Sequence, residues 1–67
     1  MKNFKNADDF FSLAIEKYQS KNYPEAIEAF NQSLALKEDW NSYQGLGWAL
    51  FHMQQYQPAI EAFNQSL

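Results

Sequence analysis

The residues of this 67-residue chain whose types suit acid–base, nucleophilic or metal chemistry are one histidine, His52, five serines, and the carboxylate pairs Asp8-Asp9 and Glu25/Glu28. None of them finds a chemical partner. A metal site takes three or four ligands, and the chain has no cysteine and no second histidine. Neighbours on a helix point about 100° apart, so Asp8 and Asp9 do not make a paired-carboxylate site. A place in the first turn of a helix, where the dipole favours anions, accounts for them. Glu25 and Glu28 share a face, and it is a solvated one. Ser12, Ser20, Ser33, Ser42 and Ser66 have no base of the right type to activate them. No glycine-rich phosphate loop is present. With no nucleophile–base–orienter set, the sequence predicts no catalysis, no metal and no cofactor. His52 reads as a plain polar groove residue rather than a ligand or a base.

What is unusual is aromatic: Phe, Trp and Tyr make up 18% of the chain. The rest of the composition sets limits. Sixty-seven residues make at most one domain, and a chain this size buries only about 60% of its unfolded surface. Five lysines, no arginine and eight carboxylates give a net charge of −3. Lys2, Lys5, Lys17, Lys21 and Lys37 lie scattered among acids, so no nucleic-acid surface is expected. No apolar run approaches the roughly 18 residues of a membrane span. The opening MKNFKN has charge without an apolar segment behind it, so no signal peptide is expected. The absence of cysteine fits a reducing cytoplasm.

The segment AIEAFNQSL occurs at residues 26–34 and again at 59–67. The repeat divides the chain into a first unit, residues 7–39, and a shorter second one, residues 40–67. Alternating strand patterns are absent and helical spacing is everywhere. Four helices are expected. The first runs from about Ala7 to Ser20 behind Asn6 as N-cap. Lys21, Asn22 and Tyr23 make the turn, and Pro24 suits the first turn of the second helix, which runs to about Lys37. Asp39 caps the third, which runs to about Met53, and Pro58 opens the fourth. Each unit is a helical hairpin.

The helices differ in how many apolar faces they carry. On the second, Ala26, Ile27, Phe30 and Leu34 share one face, opposite Glu25, Glu28, Asn31 and Gln32. On the third, Tyr43, Leu46, Gly47 and Leu50 form a core stripe, yet Trp48 and Phe51 project from nearly the opposite side, beside Asn41, Gln44 and His52. The first helix repeats this: Phe10, Leu13 and Ala14 face the core, while Phe11, Ile15 and Tyr18 face away. Two apolar faces on one helix mean two contacts to satisfy.

This pattern resembles the tetratricopeptide repeat. Tyr43-x₂-Leu46-Gly47-x₂-Leu50 followed by Ala59-x₃-Phe63 fits that motif, and Phe10-x₂-Leu13-Ala14 followed by Ala26-x₃-Phe30 fits it again. The small residue, Gly47 or Ala14, is expected against Ala59 or Ala26 where the paired helices cross. Tyr23 and Tyr56 take the aromatic position in the turn. Lys17 stands where the first unit should carry its second large residue, Glu38 replaces the usual proline, and the unit is one residue shorter than usual. The resemblance implies an all-α solenoid of two hairpins stacked in a right-handed superhelix, whose first helices line a concave groove for a peptide or protein segment. The groove positions it implies are Asp8, Phe11, Ile15, Tyr18 and Gln19, then Asn41, Gln44, Trp48, Phe51 and His52. The family's best-known groove grips a C-terminal carboxylate through lysine and asparagine. Here the matching positions are Phe11, Ile15 and Gly45, so apolar and aromatic contact is expected instead.

A second reading is a self-assembling repeat module. The first helix carries Glu16 and Lys17 where the third has Ala49 and Leu50, which suits a water-facing end of an array. The fourth helix carries the same nine residues as the second with nothing after them, so the chain reads as the N-terminal piece of a longer repeat protein. Ala59, Phe63 and Leu67, with Trp40 and Leu50 nearby, are then expected to leave an uncovered apolar patch through which copies associate, end to end or by hairpin exchange, as a homodimer. Far-UV circular dichroism is expected to show a helical spectrum; substantial β-sheet signal would contradict the hairpin reading.

Overall fold

The computed structural model describes residues 6–67, so all but Asn6 of the opening segment read for a leader lies outside the described residues. Four α-helices follow one another: α1 (Ala7–Gln19), α2 (Tyr23–Leu36), α3 (Trp40–His52) and α4 (Tyr56–Gln65), with no strand among the described residues. The two predicted N-caps are in place. The Asn6 side chain accepts from the Asp9 N–H at 3.0 Å, and Asp39 accepts from the Asn41 N–H at 3.0 Å. Each satisfies one of the N–H groups that a helix start leaves unpaired.

Pro24 lies in the first turn of α2 as expected, while Tyr23, expected in the turn, and Tyr56, ahead of the expected opening at Pro58, are already helical. Helices α2 and α4 begin at Tyr23 and Tyr56, ahead of Pro24 and Pro58. The first N–H groups of a helix have no intrahelical acceptor, so a proline one or two residues inside costs no bond. The reversals themselves rest on Lys21 and Gln54, both left-handed at φ 62°. In each hairpin the two N–H groups that follow the C-cap, Ser20 or Met53, bond back to the last turn: Lys21 to Tyr18 O and Asn22 to Lys17 O, then Gln54 to Phe51 O and Gln55 to Leu50 O. This is the glycine-type helix stop built without glycine. No turn residue in the sequence announced it.

Helices α1 and α2 pack as one hairpin and α3 and α4 as the other, with α3 seated against α2. Ala14, Ala26, Ala29 and Phe30 form the first core cluster. Leu50, Ala59 and Ala62 form the second. Small residues let the helices approach. A side-chain carbon at Gly47 would lie 2.8 Å from the Phe63 ring, so the bare backbone there leaves room for that ring. A side-chain carbon at Gly45 would run into the tip of the Phe30 ring. Phe30 is therefore held between its own hairpin, edge-on to Phe11 at 5.9 Å, and the bare backbone of α3. Sequence reading also missed Ser42 and Ala49, both buried on α3. Ser33 explains Ser42: the Ser33 hydroxyl donates to Ala7 O at 2.9 Å and lies 3.4 Å from the Ser42 hydroxyl, joining α1, α2 and α3.

The repeated segment shows the same residues in two surroundings. Phe30 is fully buried, whereas its twin Phe63 is half-buried. Ser33 bridges three helices, whereas Ser66 donates to Phe63 O on its own helix at 2.6 Å. The difference is the presence of α3 over α2. Phe30→Leu should therefore cost about 1–2 kcal/mol in urea unfolding, as for an altered core ring, and Phe63→Leu less than about half of that. Equal losses would show that α3 does not supply the extra burial.

Candidate functional site

Helices α1 and α3 lie side by side, and the residues that each turns away from its hairpin partner face a common cleft of about 390 Å³. It is lined by Phe11, Ile15 and Tyr18 from α1, Asn41, Gln44, Gly45 and Trp48 from α3, and Phe30 at the floor. The helical period brings this about. Residues 11, 15 and 18 recur at four and three residues, as do 41, 44 and 48, so each set makes one stripe. Six of the predicted groove residues are thus brought together. Gly45 and Phe30 were missed as lining residues. Their signal was the small residue itself, since a glycine in mid-helix exposes whatever packs beneath it.

Four predicted residues lie elsewhere. Asp8 and Gln19 are exposed at either end of α1 and do not line the cleft. Phe51 and His52 sit beyond Trp48 at the loop end. Phe51 is edge-on to Trp48 at 5.9 Å and to Tyr56 at 5.5 Å, so it extends the aromatic surface without lining the cleft. His52, expected as a plain polar groove residue, is exposed but engaged by two tyrosines. Its Nε2 shares a hydrogen bond with the Tyr18 hydroxyl at 3.0 Å, and its ring stacks on Tyr23 at 4.7 Å and 8°. Tyr18 meets Tyr23 edge-on at 5.5 Å. This trio ties the end of α1, the start of α2 and the end of α3 together beside the cleft mouth.

The cleft is neutral. No acidic or basic side chain lines it, and the polar groups it offers are the Asn41 and Gln44 amides and the Tyr18 hydroxyl. Trp48, 46% exposed, stands edge-on to Phe63 at 5.3 Å and to Phe51 at 5.9 Å, so the indole is held by two rings while nearly half of it meets solvent. Lys17, which breaks the repeat pattern, pairs with Glu25 at 3.2 Å on another face, an exposed contact worth about 0–1 kcal/mol. Among the described residues no group of three or more His, Cys, Asp or Glu side chains is placed to hold a metal ion, and no helix is long and apolar enough to cross a membrane.

The patch expected at the other end has a different composition. Ala59 and Leu50, 2% and 8% exposed, are core residues closed between α3 and α4, because the hairpin's own packing already covers them. Phe63 is half-buried over Gly47. Leu67 and Trp40 are exposed, and Ile60, not singled out beforehand, is exposed with them.

Comparison with protein families gives two matches, each to a model described as a tetratricopeptide repeat, over residues 7–41 and 41–67. No curated protein and no solved structure matches the chain significantly.

Two phenols near the helix ends are raised above the usual tyrosine range. For Tyr18 the main cause is partial burial, with Tyr23 beside it acting the same way. For Tyr43 it is the hydrogen bond that its hydroxyl donates to the Glu38 carboxylate at 3.0 Å, with partial burial and the Glu38 charge adding to it. A phenol whose folded value is raised contributes stability below its unfolded value of about 10, and that contribution is lost as pH rises through the folded value. The melting temperature should therefore fall as pH rises above about 10, and Tyr18→Phe should shallow the fall. An unchanged slope in that variant would remove Tyr18 from the account.

Proposed function

The chain belongs to the tetratricopeptide-repeat family, and from that membership and the cleft between α1 and α3 we propose that it binds an extended peptide or protein segment there. Repeats of this family generally serve as protein–protein interaction modules. The observation that supports the finer reading is the joining of an apolar and aromatic stripe from α1 with the Asn41, Gln44 and Trp48 stripe of α3 into one uncharged cleft. A cleft of this size takes a few side chains rather than a globular surface. Its lining favours aliphatic or aromatic groups, with the Asn41 and Gln44 amides available to a ligand's backbone. No lysine lines it to receive a terminal carboxylate, so the segment is recognised along its length by apolar contact.

Trp48 is the side chain to test, since it is half-exposed at the cleft edge and rests on Phe63. Trp48→Ala should weaken binding of a captured peptide by about 1–3 kcal/mol, as for an aromatic hot spot, with the circular dichroism spectrum kept. Isothermal titration on the folded fraction gives the comparison. Unchanged affinity per folded molecule, with the variant melting lower, would make Trp48 a packing residue and place the binding surface elsewhere.

A further inference from the structure

A second cleft, of about 370 Å³, opens between α2 and α4. These two helices have no backbone contact with each other; both pack on α3, whose Leu46 and Leu50 form the cleft floor. Ile27 stands on the α2 wall and Pro58 and Ala62 on the α4 wall, so the cavity is mainly apolar. Its charge comes from Glu61, which is exposed and has no cation at ion-pair distance among the described residues. The Glu38 carboxylate, which accepts from the Tyr43 hydroxyl at 3.0 Å, adds a second negative charge beside the Tyr43 edge. No basic side chain is among the described residues that line this cleft.

The sequence repeat supplies a comparison for this arrangement. One repeat earlier, Leu13, Glu28, Ala29 and Gln32 line a smaller cleft, of about 300 Å³, between α1 and α2; they are the counterparts of Leu46, Glu61, Ala62 and Gln65. There Lys17 stands in the place of Leu50 and Glu25 in that of Pro58, and the two pair at 3.2 Å. The α1–α2 cleft thus carries its own cation. The α2–α4 cleft keeps a carboxylate, loses the lysine and gains an aliphatic floor. Its opening owes nothing to where the chain stops, since the α1–α2 cleft is open too, with α3 packed on α2.

We propose that the α2–α4 cleft is a second binding site, for a segment of a partner protein that presents an arginine beside an apolar side chain. Arginine fits on two counts. Its aliphatic stem covers the Leu50 floor while the charged head stays at the rim with Glu61. Its planar fork matches both oxygens of a carboxylate, and it gives up water more readily than an ammonium does. The Asn31 and Gln65 amides line the same cleft, where each can donate to and accept from a peptide backbone. A free cation would leave them unused, which favours a chain segment. The net charge of −3 helps to draw a basic partner in. This cleft shares no lining residue with the uncharged one between α1 and α3.

The test titrates the ¹⁵N-labelled 67-residue chain with the tripeptide leucyl-arginyl-leucine, acetylated and amidated so that the guanidinium carries its sole charge. Amide resonances of Ile27, Leu50, Glu61 and Ala62 should shift saturably, with those of Phe11 and Ile15 unmoved. The citrulline tripeptide, an uncharged copy of the same shape, should bind about fivefold more weakly, the scale of one exposed ion pair. Glu61→Gln, at an exposed position, should keep the helical spectrum, weaken the arginine peptide by about that factor and leave the citrulline peptide unaffected. Four results overturn the proposal. These are no saturable shift at any soluble peptide concentration, equal binding of the two peptides, shifts at Phe11 and Ile15 instead, and n-butylguanidinium binding as tightly as the tripeptide, which would make the occupant a small cation. A dilution series of the chain alone is the remaining arm: if the same amides move with its own concentration, the occupant is a second copy and the proposal also falls. Failure of this site leaves the Trp48 titration untouched, so the two readings fail separately.

Discussion

The seat of Phe30 on Gly45 makes two hairpins into one body. The ring belongs to the first hairpin by sequence and by its edge-on contact with Phe11, but its far side is closed only by α3. Burying such a ring is worth about 2–3 kcal/mol, a large share of what a chain this short can gather. The seat exists because position 45 has no side chain, which lets the α3 backbone lie against the ring. Ser33 and Ser42 add a polar register mark beside it, and through Ala7 O the mark reaches α1. The distance between α1 and α3 follows from this contact.

That distance is what makes a cleft. Helices α1 and α3 touch each other little and are held apart by α2, so the stripes Phe11-Ile15-Tyr18 and Asn41-Gln44-Trp48 face one another across a gap. At the loop end the gap is tied by Tyr18, Tyr23 and His52, which link both hairpins through a hydrogen bond and two ring contacts. The cleft's walls are thus held at the floor by Phe30 and at one end by an aromatic trio. Its chemistry is set by the absence of charge more than by any one residue. Without Coulomb attraction to steer a ligand, recognition depends on shape and apolar area.

The same logic applied at α4 leaves a surface incomplete. A helix whose sequence is made to be covered on two sides is covered on one. Solenoid repeats bury their cores against neighbouring repeats, as α2 does against α3.

Much of the architecture follows from short-range sequence features. The 3.6-residue spacing of apolar side chains specifies four helices, and Asn6 and Asp39 mark two of their starts, because periodicity and capping act within a few residues of the chain. The stripes of the cleft were readable for the same reason. The starts of α2 and α4, the left-handed Lys21 and Gln54, and the aromatic engagement of His52 were not, since they depend on how a turn closes and on rings that arrive from another helix. The clearest limit is the repeat itself. Nothing within AIEAFNQSL distinguishes Phe30 from Phe63 or Ser33 from Ser66, and the burial of one pair and the exposure of the other were decided by the tertiary structure alone. Burial is a property of a residue together with its neighbour, and α3 lies over only one of the two copies.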